Sequence, residues 1–408
     1  MHEMKKYSIY LLSCVFLVLS FVAGFNWFIN PYDIFESTAI EGVNKYKSEV
    51  ERHTRLSKVY QLEKIKPEAV LLASSRGLVV AEEMFAAEHM KGFNLSLTSG
   101  STYELYRMLQ HAQQVSPLKR VVLALDELVT GDKQPGFVED RLAVAYDGSV
   151  TPGRFSQKWR DLFSALLSHD ALKASLRTIR KQKQSPDSAN KDYKADRVRN
   201  SGGHRQMFRT MEASMFSEYE GSGNQCQQNQ WSSESMKLKE LVYFEKIVEF
   251  SYINDIDLYI YFSPSHARLY EVKCMTGEFP AMAETKRQVV KIVAELAESY
   301  MKHPYTVWDF SGYNEVTTEE VPVSGDHSLM RWYWEGSHYT EATAALIFEK
   351  IFSLGGGSSE VIDFGAQISV QNIEQHLGKI QDDRMAYIRS YDDIVELNAL
   401  LHDLNKDK

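Results

Sequence analysis

The strongest constraint on this chain lies at its start. From Tyr7 to Ile29 the residues YSIYLLSCVFLVLSFVAGFNWFI carry no charged side chain. In a helix rising ~1.5 Å per residue they extend roughly 34 Å, enough to cross a bilayer core of about 30 Å. Lys5 and Lys6 precede the run, whereas Asn30, Pro31, Tyr32 and Asp33 just after it bring no basic residue. The positive-inside rule therefore keeps the N-terminus in the cytoplasm and exports everything after Pro31, with Trp27 and Tyr32 as interfacial anchors. A cleaved signal peptide, cut near Ala23 and Gly24, is the alternative reading. The apolar region outruns the usual ~7–15 residues of such a peptide and continues through Phe25, Trp27 and Phe28, which favours a retained membrane anchor over residues 7–29.

The remainder of the 408 residues is long enough for two average domains, or for one elaborated α/β domain on a tether. With 44% hydrophobic residues a large core is available. A net charge of -9 argues against nucleic acid as the main partner, because phosphate binding needs a basic footprint. No Cys-x-x-Cys pair or zinc-type spacing occurs, so neither a metal nor another cofactor is expected. Cys14 lies in the apolar run. Cys226 and Cys274 fall in the exported part, where the compartment permits a disulfide; two free thiols are the other reading.

The pattern of short apolar runs points to an α/β fold. Apolar spacing suggests helix near 47–64. Residues 68–73 read as a buried strand that delivers Ser74 and Ser75 to its C-terminal edge, and Phe93–Leu95 as a second. Thr102 opens a helix with Leu105, Met108, Leu109 and Ala112 on one face. Further strands fit 120–125, 257–262 and 306–310, with helix over 282–300 and again after His338. Strands alternating with helices predict a mostly parallel central sheet in a three-layer α/β/α arrangement. The stretch from about 131 to 235 breaks the rhythm and reads as an insertion in a domain spanning 31–356. It contains helix near 157–182 and then a polar run over 181–203 without apolar period, which reads as a loop. The tail, 357–408, reads as a C-terminal extension with a strand around 361–368 and one or two helices.

A hydroxyl nucleophile needs a sharp turn at a strand end, where nearby N–H groups can hold an oxyanion. Ser75, in Ser74-Ser75-Arg76-Gly77, meets that need, and an ordinary strand-to-helix turn meets the same pattern. Among twelve histidines His338 has the best setting. Glu335, three residues ahead in a tight turn, can reach its ring and stabilise the imidazolium. A helix-capping loop is the structural alternative for that pair.

Ala73-Ser74-Ser75, then Asn94 to Gly100, then Glu335-x-x-His338 stand in the order of the SGNH (GDSL-type) hydrolase superfamily. The chain resembles most closely the membrane-anchored bacterial members that serve acylation of cell-surface polymers. The resemblance implies Ser75 as nucleophile, His338 as general base and Glu335 as its orienter, with the N–H groups of Ser75 and Gly100 as oxyanion donors and Asn94 in the adjoining loop. It also implies the bacterial cytoplasmic membrane, a periplasmic C-terminal domain and a polysaccharide or other surface polymer as substrate, within an envelope biosynthesis complex. Three departures stand out. Ala73 and Ser74 replace the family's glycine and aspartate, and Glu335 replaces an aspartate. Asp126, at the third strand's end, occupies the place of a hydrogen-bond-donating asparagine, and an ionised carboxylate cannot donate. Losing one such donor costs ~10²–10³ in rate in other serine enzymes, so a catalytically silent carbohydrate-binding or scaffold subunit is the alternative function. His266, after the fourth strand, either lines the pocket or serves as a loop histidine. Arg76 either holds an anionic substrate or pairs with a carboxylate such as Asp126. The segment Lys173–Arg209, with eleven Lys or Arg against three Asp, is either a solvated face or a grip for an acidic polymer.

Overall fold

The computed structural model describes residues 2–86, 89–127, 130–184, 191–219, 221, 225–227, 241–352, 363–390 and 393–406. Its contacts divide the chain into two compact units: residues 1–66, 110–115 and 135–193 in one, and 67–109, 116–134 and 194–408 in the other.

The first unit is helical. Its N-terminal helix, His2–Ile29, contains a stretch long and apolar enough to cross a membrane. That helix ends where Asn30 turns to a left-handed φ of 50°, a conformation asparagine tolerates better than most residues. The Asn30 side chain then holds the exit loop: its Oδ1 accepts the N–H groups of Ile34 and Phe35, and its Nδ2 donates to Phe35 O. The last carbonyls of the helix, which have no partner within it, are met from outside. Asn44 Nδ2 donates to Phe28 O at 2.7 Å and Lys47 Nζ to Ile29 O at 2.7 Å. Burial there pulls the Lys47 ammonium down to about 8. The expected helix over 47–64 forms over Thr54–Ile65, after turns and a short 3-10 segment. The expected helix near 157–182 is two, Arg154–Leu167 and His169–Arg180, broken at Ser168, whose hydroxyl caps the second by accepting from Ala171 N–H.

The second unit carries a six-stranded sheet: β1 (Ala69–Leu72), β2 (Gly92–Asn94), β3 (Arg120–Leu125), β4 (Asp257–Phe262), β5 (Val307–Asp309) and β6 (Ala366–Ile368). Their order is β2-β1-β3-β4-β5-β6, with all pairings parallel except β5 with β6. β1 is buried at every position, as a strand covered on both faces must be. The order reverses between β1 and β3, and the carboxyl ends of the strands at such a switch point are the usual ligand position in open α/β sheets. Ser75 follows β1 and Asp126 follows β3.

Helices form as the periodicity predicts at Thr102–Val115, Phe279–Ser299 and Glu341–Phe352. Leu105, Met108, Leu109 and Ala112 are all buried. The polar run over 181–203 departs from the loop expected of it: Lys191–Asn200 is helical, with Val198 fully buried. Residues 185–190 and 361–362 lie outside the described residues. Cys226 and Cys274 are joined by a disulfide, resolving the alternatives open in the sequence.

Candidate active site

The nucleophile turn is built from packing constraints. β1 ends at Leu72, and a five-residue 3-10 turn, Ser75–Val79, follows. It is too short to act as a helix dipole, so stabilisation of negative charge there depends on individual N–H groups. Gly77 permits the turn. A Cβ at that position would stand 2.4 Å from Ala73 Cβ and 2.5 Å from Ser96 Oγ. Asn94 at the end of β2 braces the turn from below, its Nδ2 donating to Gly77 O and Val80 O, each at 2.8 Å. Its Oδ1 accepts Ser96 N–H at 2.9 Å. Asn94 is therefore a positioning residue, with its amide committed to the turn that carries Ser75.

Ser75 and His338, 263 residues apart, meet: Ser75 Oγ lies 3.0 Å from His338 Nε2. The other ring nitrogen, Nδ1, faces Glu335 Oε1 in a short contact. Glu335 also accepts His338 N–H and Ser337 Oγ–H on Oε1, each at 2.9 Å, and Ser337 N–H on Oε2 at 3.0 Å. Burial pulls this carboxyl up, but the imidazole contact and the Ser337 donors outweigh it and hold it below the usual carboxylate range. An ionised Glu335 makes Nδ1 the protonated nitrogen, leaving Nε2 free to accept the Ser75 hydroxyl proton.

The hairpin that presents His338 is pinned at several points. Tyr333 and Tyr339 form an antiparallel bridge, and Trp334 N–H donates to His338 O at 2.9 Å. Two buried histidines hold its backbone. His204 Nδ1 bonds Trp334 O at 3.0 Å, while its Nε2 accepts Met330 N–H at 3.2 Å. Burial lowers the His204 pKa, consistent with that neutral tautomer. His266 donates its backbone N–H to Gly336 O at 2.9 Å.

The His266 ring is not turned to the pocket. Nε2 bonds Glu319 O at 2.7 Å, Nδ1 accepts Arg268 N–H at 3.2 Å, and burial pulls its pKa down to about 4. It caps the helix Ala267–Met275 and supplies no oxyanion donor. Gly100 differs from expectation in the same way. Its N–H closes a turn onto Leu97 O at 2.9 Å, because the loop after β2 first continues the ladder through Leu97 N–H to Ala73 O. Among the described residues the Ser75 N–H meets no backbone acceptor and is available at this turn.

Behind the nucleophile lies a buried charge cluster. Arg76 Nη1 donates to Glu127 Oε2 at 2.8 Å, with Asp126 Oδ1 3.5 Å from its Nε. Arg76 is thus paired, mainly to Glu127. Asp126 accepts Ser74 Oγ–H at 3.1 Å. Glu127 further accepts Lys273 Nζ at 3.0 Å and Ser265 Oγ at 2.5 Å. Burial raises the Glu127 pKa, but Arg76 and Lys273 more than offset it and hold the carboxyl well below its ordinary range. Despite burial, Glu127 and Asp126 in turn hold the Arg76 guanidinium well above its ordinary value. Glu127, Lys273, Ser265 and His204 escape a reading of the sequence, because nothing local marks a carboxylate whose partner lies 146 residues away. The basic run Lys173–Arg209 is split between the two units, with Arg177 paired to Glu49 and Arg205 to Glu396.

Comparison with protein-family models and with curated proteins finds no match to this chain.

Proposed function

We propose that the protein is an exported, membrane-anchored serine esterase or O-acyltransferase of the SGNH type. The observation that carries this reading is the Ser75–His338–Glu335 relay at the turn that follows β1. Ser75 Oγ attacks an acyl carbonyl while His338 Nε2 takes its proton. The tetrahedral oxyanion faces the Ser75 N–H. His338 returns the proton to the departing alcohol as the ester bond breaks, leaving an acyl-Ser75. Water or a sugar hydroxyl then attacks, giving its proton to His338; the acyl group leaves with it and Ser75 regains its proton. Resemblance to surface-polymer acylation proteins makes acetyl the acyl group and an envelope polysaccharide the acceptor. In this reading the strand order 2-1-3-4-5 belongs to a three-layer, flavodoxin-like sandwich. The helix His2–Ile29 is the retained single-pass anchor in the bacterial cytoplasmic membrane, its N-terminus cytoplasmic and the α/β unit periplasmic.

The test treats the full-length protein in detergent with a fluorophosphonate probe and an activated acetyl ester. Labelling and turnover that vanish in Ser75→Ala support the reading. A folded wild-type protein that neither labels nor turns over overturns it. One observation favours a second reading: the Gly100 N–H and the Asn94 amide are both committed to backbone carbonyls. A site without those two donors suits a scaffold or carbohydrate-binding subunit, which would bind polymer without reacting with the probe. A preference for long acyl chains in the same assay would point to a lipid-facing esterase.

A further inference from the structure

The helical unit displays an apolar surface that a water-soluble segment would bury. On the helix Arg154–Leu167, Phe155, Trp159, Phe163 and Leu167 recur every fourth residue and are 76%, 48%, 57% and 41% exposed. The three aromatic rings follow one another along the helix, with centroids 6.2 and 5.7 Å apart. Leu176 and Ile179 on the helix His169–Arg180 are exposed as well. Scattered exposed apolar residues are ordinary, but a continuous stripe of large ones marks an interaction surface.

The polar residues beside the stripe on its own helix include no exposed acid. Ser156, Arg160 and Ser164 flank it, all exposed. Asp161, the only acid of that helix, is turned inward, where it accepts from Arg141, Gln157 and Tyr60. Lys173 and Arg180 on the next helix are exposed. Asp170 is exposed there as well, so among the described residues cations outnumber acids around the Trp and Phe face, the composition of a helix lying in a membrane interface.

The structure also ties these helices to the apolar N-terminal helix at a definite level. Asn26, fully buried, donates to Leu166 O at 2.8 Å and accepts from Ser175 Oγ at 2.8 Å. Asn26 is three residues before the end of that helix at Ile29, about 4.5 Å along its axis. Leu166 and Ser175 therefore lie at the level of the span's exit end, and Phe163 is within one turn of Leu166.

We propose that the helices Arg154–Leu167 and His169–Arg180 are interfacial elements seated in the outer leaflet of the membrane that the N-terminal helix spans. Phe155, Trp159, Phe163 and Leu167 dip among the acyl chains, and Arg160, Lys173 and Arg180 meet anionic headgroups. The occupant of the exposed stripe is lipid, because Asn26 holds its helix at the level where the spanning helix leaves the bilayer. The inference rests on that helix being retained in the bilayer, and the experiment separates the two.

Full-length protein carrying Cys14→Ser, to remove the exposed free thiol, receives a nitroxide at one of three cysteines. These are Leu17→Cys within the span, Phe163→Cys on the stripe and Met301→Cys, at a site 93% exposed. After reconstitution into phosphatidylethanolamine–phosphatidylglycerol vesicles, collision rates with oxygen and with a water-soluble nickel chelate report depth. Unchanged circular dichroism verifies that each variant is folded. The expected result is oxygen-rich, nickel-protected label at Leu17 and at Phe163, the latter about 5–10 Å below the headgroups, and the reverse at Met301. Leu17 in lipid with Phe163 as nickel-accessible as Met301 overturns the inference and leaves the anchor standing. A Phe163 label protected from both reagents means that protein covers the stripe and likewise overturns it. Leu17 outside lipid removes the anchor and this inference together.

Discussion

Glu127 offers the sharpest test of the electrostatics. Its carboxylate is fully buried and meets Arg76 at 2.8 Å, Lys273 at 3.0 Å and the Ser265 hydroxyl at 2.5 Å. The substitution Glu127→Gln keeps shape and volume while deleting one charge. At an effective dielectric constant near 20, a unit-charge pair at these separations is worth roughly 5–6 kcal/mol of gross attraction. Most of that is offset by the cost of keeping three ions out of water. Breaking a buried pair from one side leaves the partner cation uncompensated and costs about 3–5 kcal/mol net. Here two cations lose one shared anion, so the loss should fall at the upper end of that range. The measurement is urea unfolding of the full-length protein in detergent, followed by fluorescence of Trp308, Trp332 and Trp334, all in the α/β unit. The double variant Glu127→Gln/Lys273→Met should recover at least about 1 kcal/mol, since it removes one orphaned cation. A loss below about 1 kcal/mol in the single variant, or a double variant less stable than the single, would refute the reasoning.

Four further outcomes are expected. Glu335→Gln should cut ester turnover by about 10³–10⁴, as loss of the orienting carboxylate does in other serine enzymes, while fluorophosphonate labelling slows and substrate KM stays within a few-fold. Gly77→Ala should lower stability by about 1–3 kcal/mol and abolish labelling of Ser75, because the added methyl displaces the turn; near-native labelling would show that the turn relaxes freely. Cys226→Ser should lower stability by up to about 4 kcal/mol, the chain-entropy value for a 48-residue loop, read as a shift in the urea midpoint. The carboxyls of Glu127, Asp309 and Glu335 all lie below their unfolded values, so their stabilisation is complete above pH ~4.5 and lost as pH falls through the folded values. The urea midpoint should accordingly be steady from pH 7 to 5 and drop below pH ~4, with a shallower drop in Glu127→Gln.

The sequence by itself determined the apolar span, five of the six strand positions closely, and the helices whose apolar residues repeat at 3.6. Those features depend on local pattern: β1 is apolar throughout because both its faces are covered, and Leu105, Met108 and Leu109 share a face because helix geometry places them there. The two turns bearing Ser75 and Glu335–His338 were also legible, since the bends that present a hydroxyl and an imidazole need small or capping residues at fixed spacing. Tertiary structure decided what those turns meet. Whether the Gly100 N–H points to a substrate or closes on Leu97, and whether the His266 ring lines a pocket or caps a helix, depends on acceptors supplied by the ladder and by Glu319. The helix over Lys191–Asn200 forms without a periodic apolar face, with Val198 buried in the fold. The pairing of Glu127 with Lys273 and the exposure of Phe155, Trp159 and Phe163 are likewise facts of three-dimensional packing. A side chain's neighbours are set by how distant segments close upon one another, and sequence spacing carries no record of that closure.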